Sequence, residues 1–206
     1  MFNRKCKITF IAHGATIHSE ENRISDNGNY PPINEAGEEE IQKICEWLKK
    51  RAIKTDKIYA SSSLRTIQSA RMISKVFKKD FEIVEGLDSR NFGVWNGLTF
   101  DQIEAKYPQM IEQMHENPCS YCPENGENII KFNKRISKII KKIVDDNIGH
   151  RVIIVTHPDV IKATISKAIQ LPVQHQGRIY IKTGSASQIS YFKDWASLMY
   201  SGYIPL

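Results

Sequence analysis

Two short apolar runs, each followed by a histidine, constrain the fold more than any other feature of this sequence. The first covers residues 8–12 and leads to His13, and the second covers residues 152–156 and leads to His157. Continuous β-prone runs of this length are typical of buried strands in a parallel sheet. Open α/β sheets collect ligands at the carboxyl ends of their strands. If the two strands are neighbours, about 5 Å apart, both imidazoles enter one pocket.

A third β-prone run covers residues 57–60 and leads through Ser61 into a helical pattern that carries Arg65 in its first turn. The free N–H groups of that helix start and the Arg65 guanidinium would both face an anion. Gly14 allows the backbone to turn sharply just past His13. Two histidines, an arginine and a helix N-terminus around one crevice suit a phosphate or a carboxylate.

Length and composition predict the class of protein. The chain has 206 residues, 41% of them hydrophobic, which suits a single globular domain over residues 1–206. Because no run approaches the length of a membrane span and the N-terminus lacks a signal-peptide pattern, we expect a cytoplasmic protein without a membrane partner. The formal charge of +6 comes from lysine clusters, most of them on the solvated polar faces of predicted helices, and it would also favour a small anionic metabolite. No aromatic-basic pattern indicates nucleic-acid binding.

The four cysteines give no metal site. Cys119 and Cys122 have the spacing of a metal-binding pair, but no second close pair completes a tetrahedral set. We therefore predict a reduced loop pair, no metal and no cofactor.

Periodicity, caps and turn residues predict the remaining elements. Helices are expected after an Asn34 cap, over 62–78, over 128–147 and from Pro158 onward. Short strands are expected over 81–84, 179–181 and 188–192. We expect the polar stretch 18–32 to form a loop over the mouth of the site. The aromatic tail from residue 194 is expected to pack back on the domain or to meet a partner.

Six motifs in order resemble those of the histidine phosphatase superfamily, also called phosphoglycerate-mutase-like. They are Ala12-His13-Gly14 in place of the family's Arg-His-Gly, the segments 32–37, 61–70 and 92–99, Pro123-x-x-Gly126-Glu127, and the strand before His157. The match runs from residue 7 to about residue 192. It implies an α/β fold of three layers, α/β/α, with a mostly parallel central sheet flanked by helices. It also implies a small cap-like insertion around residues 99–122 that helps to choose the substrate.

The resemblance implies roles for several residues. His13 would be the nucleophile that becomes phosphorylated, next to Gly14, while Arg65 and His157 would bind the phosphoryl oxygens. Phosphoryl transfer needs fixed positive charge on those oxygens and a proton for the leaving group.

Three positions depart from the family pattern. Ala12 stands where the first arginine is expected, Ser89 where the general acid is expected, and Ser19 where an asparagine is usual. Losing one preorganised donor typically lowers the rate by about 10²–10³. These positions still belong to the predicted substrate-binding set.

Other residues are candidates to replace the lost groups. Glu127 is the first choice for the acid, with Asp88 and Asp159 as alternatives. Arg90 is the first choice for the missing guanidinium, with Arg23 as the alternative. The catalytic set predicted from the sequence is therefore His13, His157 and Glu127.

The leading hypothesis is an atypical superfamily enzyme that hydrolyses a phosphorylated small metabolite through phospho-His13. A second hypothesis keeps the pocket and uses His13 or His157 as acid–base for a non-phosphatase reaction. A third is a protein that binds a metabolite or partner without turnover. A homodimer is left open.

Overall fold

The structure is a computed structural model that describes residues 4–24 and 31–205. Within these ranges the strands are β1 (Arg4–Ala12), β2 (Lys57–Ala60), β3 (Glu82–Ile83), β4 (Arg151–Thr156), β5 (Ala186–Phe192) and β6 (Ala196–Tyr203). The helices are α1 (Ile17–Glu20), α2 (Glu35–Lys50), α3 (Leu64–Phe77), α4 (Phe100–Lys106), α5 (Pro108–Glu116), α6 (Ile129–Asp146) and α7 (Pro158–Ala168). Short 3₁₀ turns cover Gly93–Trp95 and Val173–Arg178.

The described strands form one sheet in the order β3-β2-β4-β1-β5-β6. The pairs β1–β4, β2–β4 and β2–β3 are parallel, and β5 and β6 add an antiparallel edge. Ala12 lies opposite Thr156 in the β1–β4 register, so both strands end at the same edge of the sheet. The prediction that the two histidine-bearing strands are parallel neighbours is therefore confirmed.

Helices cover both faces of the sheet, which gives the predicted three-layer α/β/α architecture. On one face, Phe10 of β1 packs with buried residues of α6 and α7, such as Ile136 and Ile161. On the other, Ile11 packs with buried residues of α2 and α3, such as Ile41 and Ile73. Successive strand residues point to opposite faces, so β1 contributes to both cores.

The C-terminal part of the chain differs from its prediction. Residues 179–181 do not form a strand, whereas the tail that was expected to pack back on the domain forms β6. Ile181 is buried in the core next to α7, whereas Tyr180 is exposed. The alternation of buried and exposed side chains here therefore comes from the single buried side chain of Ile181 and not from a strand. β5 already pairs with β1, and β6 takes the other side of β5.

The predicted caps and helix starts are confirmed where the structure describes them. The Asn34 side chain accepts a hydrogen bond of 3.0 Å from the Gly37 N–H at the start of α2. Pro158 occupies the first turn of α7, where its missing N–H costs nothing. The loop expected over 18–32 is partly α1, and its residues 25–30 lie outside the described ranges. None of the described helices has the length and apolar character needed to cross a bilayer.

Candidate active site

Three buried side chains meet at the edge of the sheet where β1 and β4 end. The ring centroids of His13 and His157 are 5.2 Å apart. Arg65, in the first turn of α3, donates from Nε to His13 Nε2 and from Nη2 to His157 Nδ1, each at 3.3 Å. The exposed fractions of His13, His157 and Arg65 are 4%, 1% and 0%, so this cluster is closed off from bulk water.

Two neighbours fix the tautomer of His13. Its Nδ1 lies 2.8 Å from the Gly14 carbonyl oxygen, which can only accept, so Nδ1 carries the proton. Arg65 can only donate, so Nε2 carries the lone pair. Burial, and then the charge of Arg65, lower the pKa of His13 to about 3. His13 is therefore a neutral imidazole whose free lone pair faces Arg65.

His157 is held by a chain of hydroxyl groups. Its Nε2 lies 2.9 Å from Ser61 Oγ, which lies 2.8 Å from Thr66 Oγ1, and Thr66 donates to the Ser63 carbonyl oxygen at 2.7 Å. Because Arg65 donates to Nδ1, Nε2 carries the proton of His157 and donates to Ser61. Burial and the charge of Arg65 lower the pKa of His157 well below its usual value.

A close backbone contact positions the turn after His13. A Cβ atom on Gly14 would lie 2.3 Å from the Gly37 carbonyl oxygen, and one on Gly37 would lie 2.2 Å from the Ala15 carbonyl oxygen. The first turn of α2 therefore packs directly on the turn that follows His13. The Gly14 N–H also donates to Ser69 Oγ of α3 at 3.1 Å.

The three departures from the family pattern occupy different surroundings. Ala12 is fully buried in the apolar core next to α6 and α7 and supplies no charge. Ser89 is buried in the loop after β3. Ser19 completes a capping box with Thr16 at the start of α1, with Oγ 2.8 Å from the Thr16 carbonyl oxygen.

Glu127 is paired with Arg135 of α6. Arg135 donates to Oε1 from Nε at 3.0 Å and to Oε2 from Nη2 at 2.6 Å. It also donates to the carbonyl oxygens of Gly86 and Asp88 in the loop after β3. A carboxylate held by both arms of a guanidinium is an acceptor, which argues against Glu127 as a proton donor. Glu127 instead orients the arginine that holds this loop.

The other proposed substitutes are also bound within the fold. Arg90 donates from Nε to the Glu127 carbonyl oxygen at 2.6 Å, and its guanidinium stacks over the Phe92 ring. Asp88 accepts from the Ser62 hydroxyl at 2.9 Å at the start of α3. Arg23 pairs with Glu21 and donates to the Gly97 carbonyl oxygen at 3.0 Å.

Asp159, two residues after His157, lies against the loop that carries Ser89. Its Oδ2 accepts from the Arg90 N–H at 2.6 Å and its Oδ1 from the Val160 N–H at 2.8 Å. Enclosure of the carboxyl group raises the pKa of Asp159, and these two hydrogen bonds and the charge of Arg65 oppose the rise. A carboxyl group therefore lies beside the loop that carries Ser89.

A cavity of about 450 Å³ adjoins both histidine-bearing turns. It is lined by Ala15 and Pro158, which follow these turns, and by Glu40, Tyr180 and Lys182. Glu40 Oε2 accepts from the Ala15 N–H at 2.9 Å, which ties α2 to the same turn. Glu40 and Arg135 were not predicted at the site, because neither belongs to a motif.

No group of His, Cys, Asp and Glu side chains suited to a metal ion occurs in ranges 4–24 and 31–205. Cys119 and Cys122 are both free thiols.

Comparison with known proteins identifies the family. The model of the histidine phosphatase superfamily, branch 1, matches residues 8–200. Phosphoglycerate mutase-like protein 4 of Arabidopsis thaliana is 26% identical over 164 residues, covering 79% of this chain and 70% of the plant protein. Adenosylcobalamin/alpha-ribazole phosphatase of Escherichia coli is 22% identical over 200 residues, covering 93% of each chain. Several mycobacterial relatives are longer, and the chain spans 52% of their length.

The fold comparison agrees. The solved structure of Bacillus stearothermophilus YhfR superimposes with a TM-score of 0.88 at 24% identity, over 97% of this chain and 98% of that one. The family model covers nearly all of the sheet and includes the three buried side chains of the site, His13, Arg65 and His157. This chain therefore belongs to branch 1 of the histidine phosphatase superfamily.

Proposed function

We propose that this protein hydrolyses phosphate monoesters of small metabolites through a phosphorylated His13. The observation that carries the proposal is the state of His13: a neutral imidazole with its Nε2 lone pair 3.3 Å from the Arg65 guanidinium. A phosphoryl group attacked by that nitrogen would have the guanidinium next to its oxygens. Fixed positive charge at that position stabilises the transition state of phosphoryl transfer.

In the first step, His13 Nε2 attacks phosphorus, the P–N bond forms and the ester P–O bond breaks. Arg65 donates to the phosphoryl oxygens in place of its present contacts with the two histidines. The Gly14 carbonyl oxygen keeps its hydrogen bond with His13 Nδ1 and stabilises the positive charge that develops on the ring.

We assign the proton for the leaving alkoxide to Asp159. Its carboxyl group lies against the Arg90 N–H, directly after Ser89, and burial raises its pKa above that of an exposed aspartate. In the second step water attacks phosphorus, its proton passes to the Asp159 carboxylate, and the P–N bond breaks to release inorganic phosphate. His13 returns to its neutral form and Asp159 to its acid form.

The insertion over residues 99–122 is our candidate for substrate selection. Its end is held to the site region by Tyr121, whose ring stacks on the buried Trp95 at 5.5 Å. Trp95 lies in the 92–99 motif, next to the loop that carries Ser89 and Arg90.

The test is phosphate release from a panel of phosphate monoesters, together with detection of a phosphorylated protein. We expect the native protein to be active and to carry an acid-labile phosphate on His13 after rapid quenching. His13→Ala should lose both while keeping its melting temperature. Hydrolysis that persists in His13→Ala, or without a phosphoprotein, would refute the proposed route.

A second candidate function is metabolite binding without turnover, and the buried Ala12 favours it. Without the family's first arginine, the described site has one guanidinium fewer for the transferring phosphoryl group. Under this alternative, inorganic phosphate binds the native protein and His13→Ala with similar affinity, and no monoester of the panel is hydrolysed.

A further inference from the structure

A second cavity, of about 610 Å³, opens at the end of the sheet opposite His13. Lys7 and Thr9 of β1 line it, whereas His13 follows the other end of the same strand. The six residues from Lys7 to His13 span about 20 Å of extended chain. The cavity is therefore distinct from the active site and has a volume typical of small-molecule sites.

The floor of this cavity is polar where a core is usually apolar. Thr9 lies opposite Gln188 of β5, and Gln188 lies opposite Tyr200 of β6. Thr9 and Gln188 are 3% and 8% exposed, and Gln188 Nε2 donates to Thr9 Oγ1 at 2.9 Å. Burial raises the pKa of Tyr200 to about 12, so its hydroxyl keeps its proton. On the same face of β1, Ile11 belongs to the apolar core.

The walls are cationic. Arg51 and Lys54 lie in the turn after α2, and Arg151 begins β4 beside Lys7. Of the described residues that line the cavity, none is acidic. Arginine and lysine residues around one space are suited to a phosphate, since arginine binds it with two parallel hydrogen bonds.

One side of the cavity is aromatic. Trp47 at the end of α2 lies 5.2 Å from Tyr203 and 6.1 Å from Tyr200, measured between ring centroids. All three rings line the cavity. Aromatic rings at these distances offer faces and edges on which a planar ring can pack.

We propose that this cavity is a binding site for nucleoside phosphates. The phosphate would contact Arg51, Lys54 and Arg151, and the base would pack against Trp47 and Tyr203. Gln188 and the Tyr200 hydroxyl offer hydrogen bonds to the base edge or the sugar. The site is independent of the proposed phosphatase chemistry, because none of its residues contacts the histidine cluster.

Equilibrium dialysis with AMP tests the site in the full chain. His13→Ala is used in place of the native protein so that hydrolysis does not consume the probe. We expect AMP to bind this variant. Arg51→Glu combined with Lys54→Glu, two exposed positions, should weaken binding by about tenfold or more, as for the loss of a charge-assisted contact. Lys75→Glu, an exposed position on α3, is the matched control and should change nothing.

Binding of adenosine and of inorganic phosphate to His13→Ala tests the base-binding and the phosphate-binding parts of the site separately. Each should bind at least tenfold more weakly than AMP, and Trp47→Leu should weaken AMP binding without changing phosphate binding. The proposal is overturned if AMP does not bind at millimolar concentration, or if the Arg51/Lys54 double variant binds it normally. Phosphate binding that is as tight as AMP binding and is lost in the Arg51/Lys54 double variant would refute the nucleoside part of the assignment.

Discussion

His13 is kept neutral by its surroundings rather than by its own chemistry. Burial and Arg65 lower the pKa of His13 to about 3, whereas a histidine in the unfolded chain titrates near its ordinary value of about 6.5. Between these values the unfolded chain binds a proton that the folded chain does not. The free energy of unfolding must therefore fall as the pH falls through this window.

Urea denaturation at a series of pH values measures this effect. We expect the native protein to lose stability steadily from about pH 7 to about pH 4, and His13→Gln to lose it less steeply, because one depressed pKa is removed. His150→Gln changes an exposed histidine and serves as the matched control. Equal slopes for native protein and His13→Gln would contradict the assignment of a buried neutral His13.

The acid assigned to Asp159 has a separate test at the same scale. Asp159→Asn should lower kcat for an alkyl phosphate by about 10²–10⁴, the usual contribution of general acid catalysis. It should lower kcat for para-nitrophenyl phosphate far less, since nitrophenolate leaves without a proton. In the native protein, kcat/KM should fall as the pH rises through the raised pKa of Asp159, and this limb should disappear in Asp159→Asn.

Glu127→Gln is the control for the Asp159 test. The substitution weakens the pair with Arg135 and should lower kcat for both substrates by the same factor, because it loosens the loop rather than removing a proton donor. A loss confined to the alkyl phosphate in Glu127→Gln would return the acid role to Glu127.

At the scale of elements, the first turn of α2 is packed against the turn after β1. The two contact atoms are backbone, so neither Gly14 nor Gly37 can accept a Cβ without moving α2 or the His13 turn. Gly14→Ala should therefore abolish detectable turnover and lower the melting temperature.

Gly177→Ala is the matched substitution for that prediction. A Cβ atom there would meet no other atom within 4 Å, so activity and melting temperature should stay unchanged. Turnover in Gly14→Ala at the native rate would show that the turn tolerates displacement and that its close packing does not position His13.

At the scale of the whole molecule, the proposed phosphate site exists only in the folded chain, because it is assembled from β1, β4 and α3. A ligand that binds only the folded state adds RT ln(1 + [L]/Kd), about 2.7 kcal/mol at a concentration of one hundred times Kd. Inorganic phosphate should therefore raise the melting temperature in a concentration-dependent way.

Arg65→Ala should lose the stabilisation by phosphate while keeping a cooperative transition. The melting temperature of each protein is measured by calorimetry, with sodium chloride at equal ionic strength as the control. An equal gain in Arg65→Ala would place the phosphate elsewhere. The cavity lined by Arg51 and Arg151 would then be examined by the Arg51/Lys54 double variant.

Local sequence patterns determined the strands that end in histidine and the capped helices, and the family resemblance implied the three-layer fold. Apolar runs, caps and prolines act within a few residues of the chain, so they can be recognised without knowing the rest of the structure. The same patterns placed His13, Arg65 and His157 in one pocket. The cytoplasmic location stays a prediction, and a homodimer is still left open.

Only the tertiary structure decided which polar groups are engaged and which face the site. Glu127 and Arg90 were attractive substitutes by sequence, but Arg135 and Phe92 hold them. Asp159 became the proposed acid because the Arg90 N–H, 69 residues earlier in the chain, donates a hydrogen bond to its carboxyl group. Likewise β6 depends on pairing with β5, not on its own sequence pattern. Burial and hydrogen bonding between distant segments set these outcomes, and a local pattern carries no information about either.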